Sequence, residues 1–81
     1  MTTEQFETLE IPPSSRIKKM EYCKRSALLR VTFNNDGVYI YKWVGPSTID
    51  LLKKDIAIHG VGKAFQLNII NRGYGYEKLA K

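Results

Sequence analysis

Two alternating apolar runs around a short polar break constrain this chain more than any other feature. The runs 27–33 and 38–44 flank Asn34-Asn35-Asp36-Gly37, the signature of a β-hairpin. β-Branched and aromatic residues suit a pleated surface, and Asp36-Gly37 supplies a residue that can take positive φ so that the chain reverses. With Asn35-Asp36-Gly37 as the loop and a bulge at Gly37, Phe33 faces Tyr39, Val31 faces Tyr41 and Leu29 faces Trp43, three pairs on one side of the sheet. A slip of one residue would turn Tyr39, Tyr41 and Trp43 to the other side. The register therefore decides whether these rings are core or surface.

Around the hairpin the pattern is that of a small α+β domain. Residues 14–23 read as a first strand with Ile17 and Tyr22 inward, although Lys18-Lys19 breaks the alternation. Gly45-Pro46-Ser47-Thr48 starts a helix, with a Ser or Thr oxygen available to cap it, and the helix runs to about Ile58. Ile49, Leu52 and Ile56 recur at helical spacing, Leu51 and Ile58 widen the stripe, and Asp50, Lys53 and Lys54 face water. Gly60 stops it. A shorter helix over about 62–71 carries Phe65 and Ile69, and Gly73 ends it. Arg72-Gly73-Tyr74-Gly75-Tyr76 has no regular period and reads as a mobile tail. The expected architecture is a small antiparallel three-stranded β-meander followed by two short helices packed on one face. It occupies residues 14–81, behind an acidic N-terminal arm, residues 1–13, that ends in Pro12-Pro13.

The 81 residues make one domain with a modest core, too small to enclose a large cavity, so a sizeable pocket is expected between subunits. No apolar run approaches the ~20 residues of a membrane span. The start of the chain lacks the basic and apolar regions of a signal peptide, and the single Cys23 cannot form an internal disulfide. These features point to a cytoplasmic protein without a membrane partner. The formal charge is +5, yet three acids and no base precede Pro13, leaving 13 bases against five acids in the remainder. Such an excess favours anionic partners.

With Tyr39, Tyr41 and Trp43 against the helices, Leu28, Val38, Ile40 and Val44 are left on the opposite face, and a contiguous patch of that kind marks a partner surface. Leu28, Val38 and Ile40 are the candidate interface of a homo-oligomer, a dimer or a higher even-numbered assembly. The alternative is that Phe6, Leu9 and Ile11 of the arm cover the patch.

Catalysis needs convergent groups, and one His, one Cys and eight acids in no spaced cluster supply none. Metal-ligand spacing and a nucleophile motif are missing as well. No enzyme activity, metal or cofactor is expected. Gly60-Val61-Gly62-Lys63 lacks the spacing of a P-loop but leaves backbone amides at a helix start beside Lys63, where one phosphate could sit. Aromatic residues alternate with bases in three places: Tyr22 beside Lys24-Arg25, Tyr41-Lys42-Trp43, and Arg72 with Tyr74 and Tyr76. Every nucleobase offers a π-face for stacking while Arg and Lys neutralise phosphate. The expected ligand is a nucleotide-bearing anion, and the candidate contacts are Arg72, Tyr74, Tyr76, Lys63, Gly62, Lys24, Arg25 and Lys42. A ligand-free structural or interaction protein is an alternative.

Leu29-x-Val31-x-Phe33, then Gly37, Tyr39-x-Tyr41 and a Pro after Val44, resembles the KTSC domain, a module named for the C-terminus of some lysyl-tRNA synthetases. Ser14-Ser15-Arg16-Ile17 with Met20-Glu21-Tyr22 upstream, and Gly62-Lys63-x-Phe65 with Ile69 downstream, extend the resemblance over roughly residues 13 to 76. Gly45 before Pro46, Gln66 where the family favours Asn, and Ile70 where it favours Arg depart from the pattern, and Arg72 would have to replace the last. The resemblance implies the α+β fold and a free-standing single-domain form. RNA is the ligand it suggests, with Lys18, Lys19, Lys24, Arg25 and Lys42 along phosphates. By analogy with compact phage proteins, a homo-oligomeric sponge for a cyclic dinucleotide-type signal is the alternative.

Overall fold

A computed structural model describes residues 5–80; residues 1–4 of the expected arm and residue 81 lie outside the described residues. The order is β1 (Glu7–Leu9), β2 (Ile17–Cys23), β3 (Leu28–Phe33), β4 (Val38–Tyr41), α1 (Pro46–His59), α2 (Val61–Phe65) with a π-helical continuation (Gln66–Ile70), and β5 (Tyr76–Ala80). The fold is α+β, as expected, but the antiparallel sheet has five strands in the order β1-β2-β3-β4-β5, not three. Both additions were unreadable locally. β1 comes from the acidic arm and pairs Leu9 with Met20, and β5 comes from the tail and pairs Tyr76 with Tyr41. A central hairpin leaves two edges of unpaired amides and carbonyls, and neighbouring chain satisfies them whatever its own pattern.

The hairpin register differs from the expected one by two residues. Leu29 faces Tyr41 and Val31 faces Tyr39, because the loop is Asn34-Asn35-Asp36. Phe33 N–H donates to Gly37 O at 2.8 Å, Asp36 N–H donates to Phe33 O at 2.9 Å, and Asp36 takes the positive φ of 70°. Asp tolerates that region, and Asn35 Oδ1 accepts from Gly37 N–H at 2.9 Å, so the turn closes one residue earlier than a Gly-centred bulge would. A shift of two preserves the faces, and Tyr39 and Tyr41 stay on the helix side.

Trp43 was expected on that side too, and Val44 on the other; the structure reverses both. Trp43 sits at φ 63° and is 83% exposed, whereas Val44 is fully buried. The left-handed residue shifts the side-chain alternation by one step after β4, so the aliphatic residue enters the core. Tyr22 Oη donates to Val44 O at 2.6 Å and Val44 N–H to Ala27 O at 2.9 Å, which pins this crossing.

Ile17, Met20 and Tyr22 all point inward, and a β-bulge between Ile17 and Lys19 explains the broken alternation at Lys18-Lys19. α1 begins at Gly45 and not at a Ser or Thr cap: Pro46 occupies its first turn, and Thr48 and Ile49 N–H donate to Gly45 O. Ile49, Leu52 and Ile56 are buried, whereas Leu51 and Ile58 remain exposed. Gly60, at φ 89°, ends α1 and returns its N–H to Ile56 O at 3.0 Å. No described helix is long and apolar enough to cross a membrane.

The core joins Leu9, Ile17, Met20, Tyr22, Leu29, Val31 and Tyr41 to the helical Leu52, Phe65 and Ile69, with Ile11 packed against it. Phe6 goes to the opposite face, where Arg30 lies 4.2 Å from its ring centre. Beneath it Arg30 Nε donates to Glu21 Oε1 at 2.8 Å. That hydrogen bond, more than the charges of Arg30 and Lys19, holds the Glu21 carboxyl below its ordinary value, against the opposing effect of burial. A depressed folded-state value contributes stability above the unfolded value of about 4.3 that disappears as the pH falls through the folded one. Glu21→Gln is expected to flatten the loss of stability in the acid range, as read from urea denaturation midpoints at stepwise lower pH.

Candidate functional site

Along β4, Tyr39 and Tyr41 point to the helix side, facing Val31 and Leu29 on β3 and Lys78 and Tyr76 on β5. Where the helical layer stops short of β5, an open cleft of about 890 Å³ remains. Its floor is aromatic. Tyr39 and Tyr41 stack at 6.5 Å and 26°, Tyr41 and Tyr76 lie 5.5 Å apart, and Phe33 meets Tyr39 edge-on at 5.5 Å. Phe65 of α2 supports the floor, edge-on to Phe33 at 5.9 Å and to Tyr41 at 5.5 Å. The rings grade from base to rim, Tyr41 being 5% and Tyr76 59% exposed.

The facing wall is Ile69, Ile70, Gly73 and Tyr74. It depends on the π-helical segment, in which Asn71 N–H donates to Gln66 O at 2.9 Å. The wider turn rotates the residues that follow relative to an α-helix, and such segments are frequent at functional sites. Asn68 braces it, donating to Asp55 Oδ2 at 2.8 Å and Ala64 O at 2.9 Å. After Gly73 turns at φ 70°, Tyr74 Oη and Thr48 Oγ1 share a hydrogen bond of 3.0 Å, and Lys42 N–H donates to Gly75 O at 2.8 Å. These contacts deliver the tail to β4 as a strand. It is not the mobile tail of the sequence reading.

The rim is polar and basic. Ser14 Oγ accepts from Arg16 N–H at 3.2 Å and Ile17 N–H at 3.3 Å, a hydroxyl turn that sets Arg16 at the start of β2. Asn34 ties the hairpin loop to this turn, donating its side chain to Ser14 O at 2.9 Å and its N–H to Arg16 O at 3.0 Å. Lys78 Nζ stands 5.9 Å from the Tyr39 ring centre. Arg16 and Lys78 both line the cleft and, among the described residues, no carboxylate does. A smaller cleft of about 360 Å³ continues past Ser15 and Arg16 to Gly62, Lys63 and Gln66.

The expected contacts are only partly brought together. Tyr74 and Tyr76 line the main cleft, and Gly62 and Lys63 its extension. Lys24 lies on a separate cleft with Glu7, Glu10 and Asp50. Arg25 is exposed in the β2–β3 turn, Arg72 is exposed in the turn before β5, and neither lines these clefts. Lys42 Nζ pairs with Glu77 at 3.0 Å. Leu28, Val38 and Ile40 are half-buried on the far face, Ile40 between Arg30 and Glu77. The pocket expected between subunits is present within one chain, because an open groove needs only a missing lid of helix and no enclosing volume. Arg16 and Lys78 were missed. Ser14-Ser15 before a strand was the available signal for the first, and nothing local marked the second. Among the described residues no group of three or more His, Cys, Asp or Glu could hold a metal.

Burial, reinforced by the neighbouring Tyr76 and Tyr39 phenols, pushes Tyr41 above the ordinary tyrosine value. The folded protein therefore keeps a proton that the unfolded chain loses, and stability falls as the pH rises past about 10. Ultraviolet titration is expected to show Tyr41 ionising late, and Tyr76→Phe to bring it earlier.

The KTSC domain family model matches residues 13–74. In fold, the chain is similar to a KTSC domain protein from Yersinia pestis whose crystal structure has a TM-score of 0.68 and 18% sequence identity, with 94% of this chain and 100% of that chain covered. A search of curated proteins finds no match.

Proposed function

Taking as premise that this chain belongs to the KTSC domain family, we propose that it is a non-catalytic binding module for a nucleotide-bearing anion, held in the aromatic cleft. The observation that carries the reading is the composition of that cleft: five aromatic residues lining it, Arg16 and Lys78 at its rim, and no carboxylate among the described residues. A base enters against Tyr39 and Tyr76 while its phosphate meets Arg16, with Lys63 on the extension for a second phosphate. Ile70, where the family resemblance expects Arg, is on the cleft wall, and the cations that line the cleft here are Arg16 and Lys78. Base–aromatic stacking contributes roughly 1–3 kcal/mol.

Calorimetric titration at low salt with nucleoside monophosphates and short oligonucleotides tests this. Tyr76→Ala is expected to weaken binding about fivefold or more, and Arg16→Gln to reduce its salt dependence. No heat with any of these ligands would sink the reading.

A second reading, a homo-oligomeric sponge for a small cyclic dinucleotide, draws support from the cleft volume, which lies within the ~300–1,000 Å³ typical of small-molecule sites. Leu28, Val38 and Ile40 would join its subunits. Ile40→Lys is then expected to lower the mass by light scattering without loss of the sheet, and a wild-type monomer at micromolar concentration would remove this reading.

A further inference from the structure

Trp43 is the most exposed ring among the described residues. It is 83% exposed at φ 63°, a conformation in which a bulky side chain crowds the following carbonyl. The backbone needs that φ to send Val44 inward, but Gly or Asn would supply it with less strain. Burial explains nothing about the ring either. A strained, exposed aromatic is an observation that points outward, to something that covers it.

Its surroundings give the chemistry of that partner. Val44 N–H donates to Ala27 O at 2.9 Å, so the loop carrying Trp43 is fastened to the β2–β3 turn, residues 24–27. That turn presents Lys24 and Arg25, both exposed, and neither is in an ion pair among the described residues. Trp43 also follows directly on the cleft. Tyr41 on its floor is two residues upstream, a reach of about 7 Å, and the intervening Lys42 is bonded through its N–H to Gly75 at the start of β5. An aromatic face two residues beyond a stacked-ring cleft, on a loop tied to a turn that carries two exposed cations, matches the pairing by which single strands are held.

We infer that Trp43, with Lys24 and Arg25, is a second stacking station, and that the ligand is a single-stranded nucleic acid running from the cleft across the β2–β3 turn. One base enters the Tyr39–Tyr76 cleft, a later base stacks on Trp43, and the phosphates beyond it meet Lys24 and Arg25. The direction of the strand rests on the cleft reading above; the stacking on Trp43 does not.

Because the chain has a single Trp, its emission reports on this station alone. Octamers of uridine and of deoxythymidine are expected to quench it, and uridine monophosphate, too short to reach beyond the cleft, to leave it unchanged. Trp43→Gly is expected to keep or raise the melting temperature, since strain is relieved and little burial is lost, while weakening octamer binding about fivefold or more. Its affinity for the monophosphate should not change. Lys24→Gln with Arg25→Gln should lower the slope of log Kd against log salt by about 1.4. Octamer affinity untouched by Trp43→Gly, or a fall in melting temperature that accompanies loss of both ligands, would overturn the inference. So would quenching by an acidic peptide in place of the octamers. Monophosphate binding indifferent to Tyr76→Ala would instead defeat the cleft reading alone.

Discussion

Four inter-strand steps of about 4.8 Å make a five-stranded sheet about 19 Å wide, and the chain has little helix with which to cover it. α1 has 14 residues, whereas α2 and its π-helical continuation have five each, about 15 Å of second helix. α1 takes the β1–β2 end, where Ile49 shares a cleft wall with Leu9 and Tyr22. Phe65 reaches Phe33 and Tyr41, and beyond it Tyr39 of β4 is only half-buried and Tyr76 and Lys78 of β5 are exposed. Aromatic residues are suited to that boundary, because their rings can bury one face while an edge or hydroxyl stays wet. The cleft is thus a consequence of sheet width exceeding helical cover.

Charge is distributed in keeping with this geometry. Glu21 pairs with Arg30, Asp36 with Lys18 at 2.6 Å and Glu77 with Lys42 at 3.0 Å. Those acids sit on the far face, at the hairpin loop and along the β4–β5 edge, while Asp55 is hydrogen-bonded to Asn68 under the π-helical segment. The exposed pairs contribute little stability by themselves. Their effect is on the field: Asp36 at the hairpin loop and Glu77 on β5 are neutralised by Lys18 and Lys42, and Arg16, Lys63 and Lys78 are the charged residues that line the cleft and its extension.

Two non-glycine residues in the left-handed region govern where the rings go. Asp36 sets the hairpin loop and with it the pairing of Tyr39 and Tyr41, and Trp43 resets the alternation so that Val44 enters the core. Each is a local backbone event with a long-range result, because in a sheet one step of alternation exchanges the two faces.

Local pattern was enough for the hairpin, for both helices and for the inward direction of Ile17, Tyr22, Tyr39 and Tyr41, since period-2 and period-3.6 spacing of apolar residues reports which side must be dry. It was enough too for the family, whose short motifs fall on the turn at Ser14, the two hairpin strands and the Phe65 support. It did not reveal β1 and β5. Glu7–Leu9 and Tyr76–Ala80 become strands because β2 and β4 offer open edges, and hydrogen bonding to an edge asks little of side-chain pattern. The exposure of Trp43 was likewise beyond reading, because φ at a single residue is decided by which neighbouring side chain takes the core position, and here Val44 does. The cleft itself was decided only in three dimensions: Arg16 and Lys78 stand 62 positions apart in the chain, and they line one site because a turn at Gly73 returns the tail to the sheet.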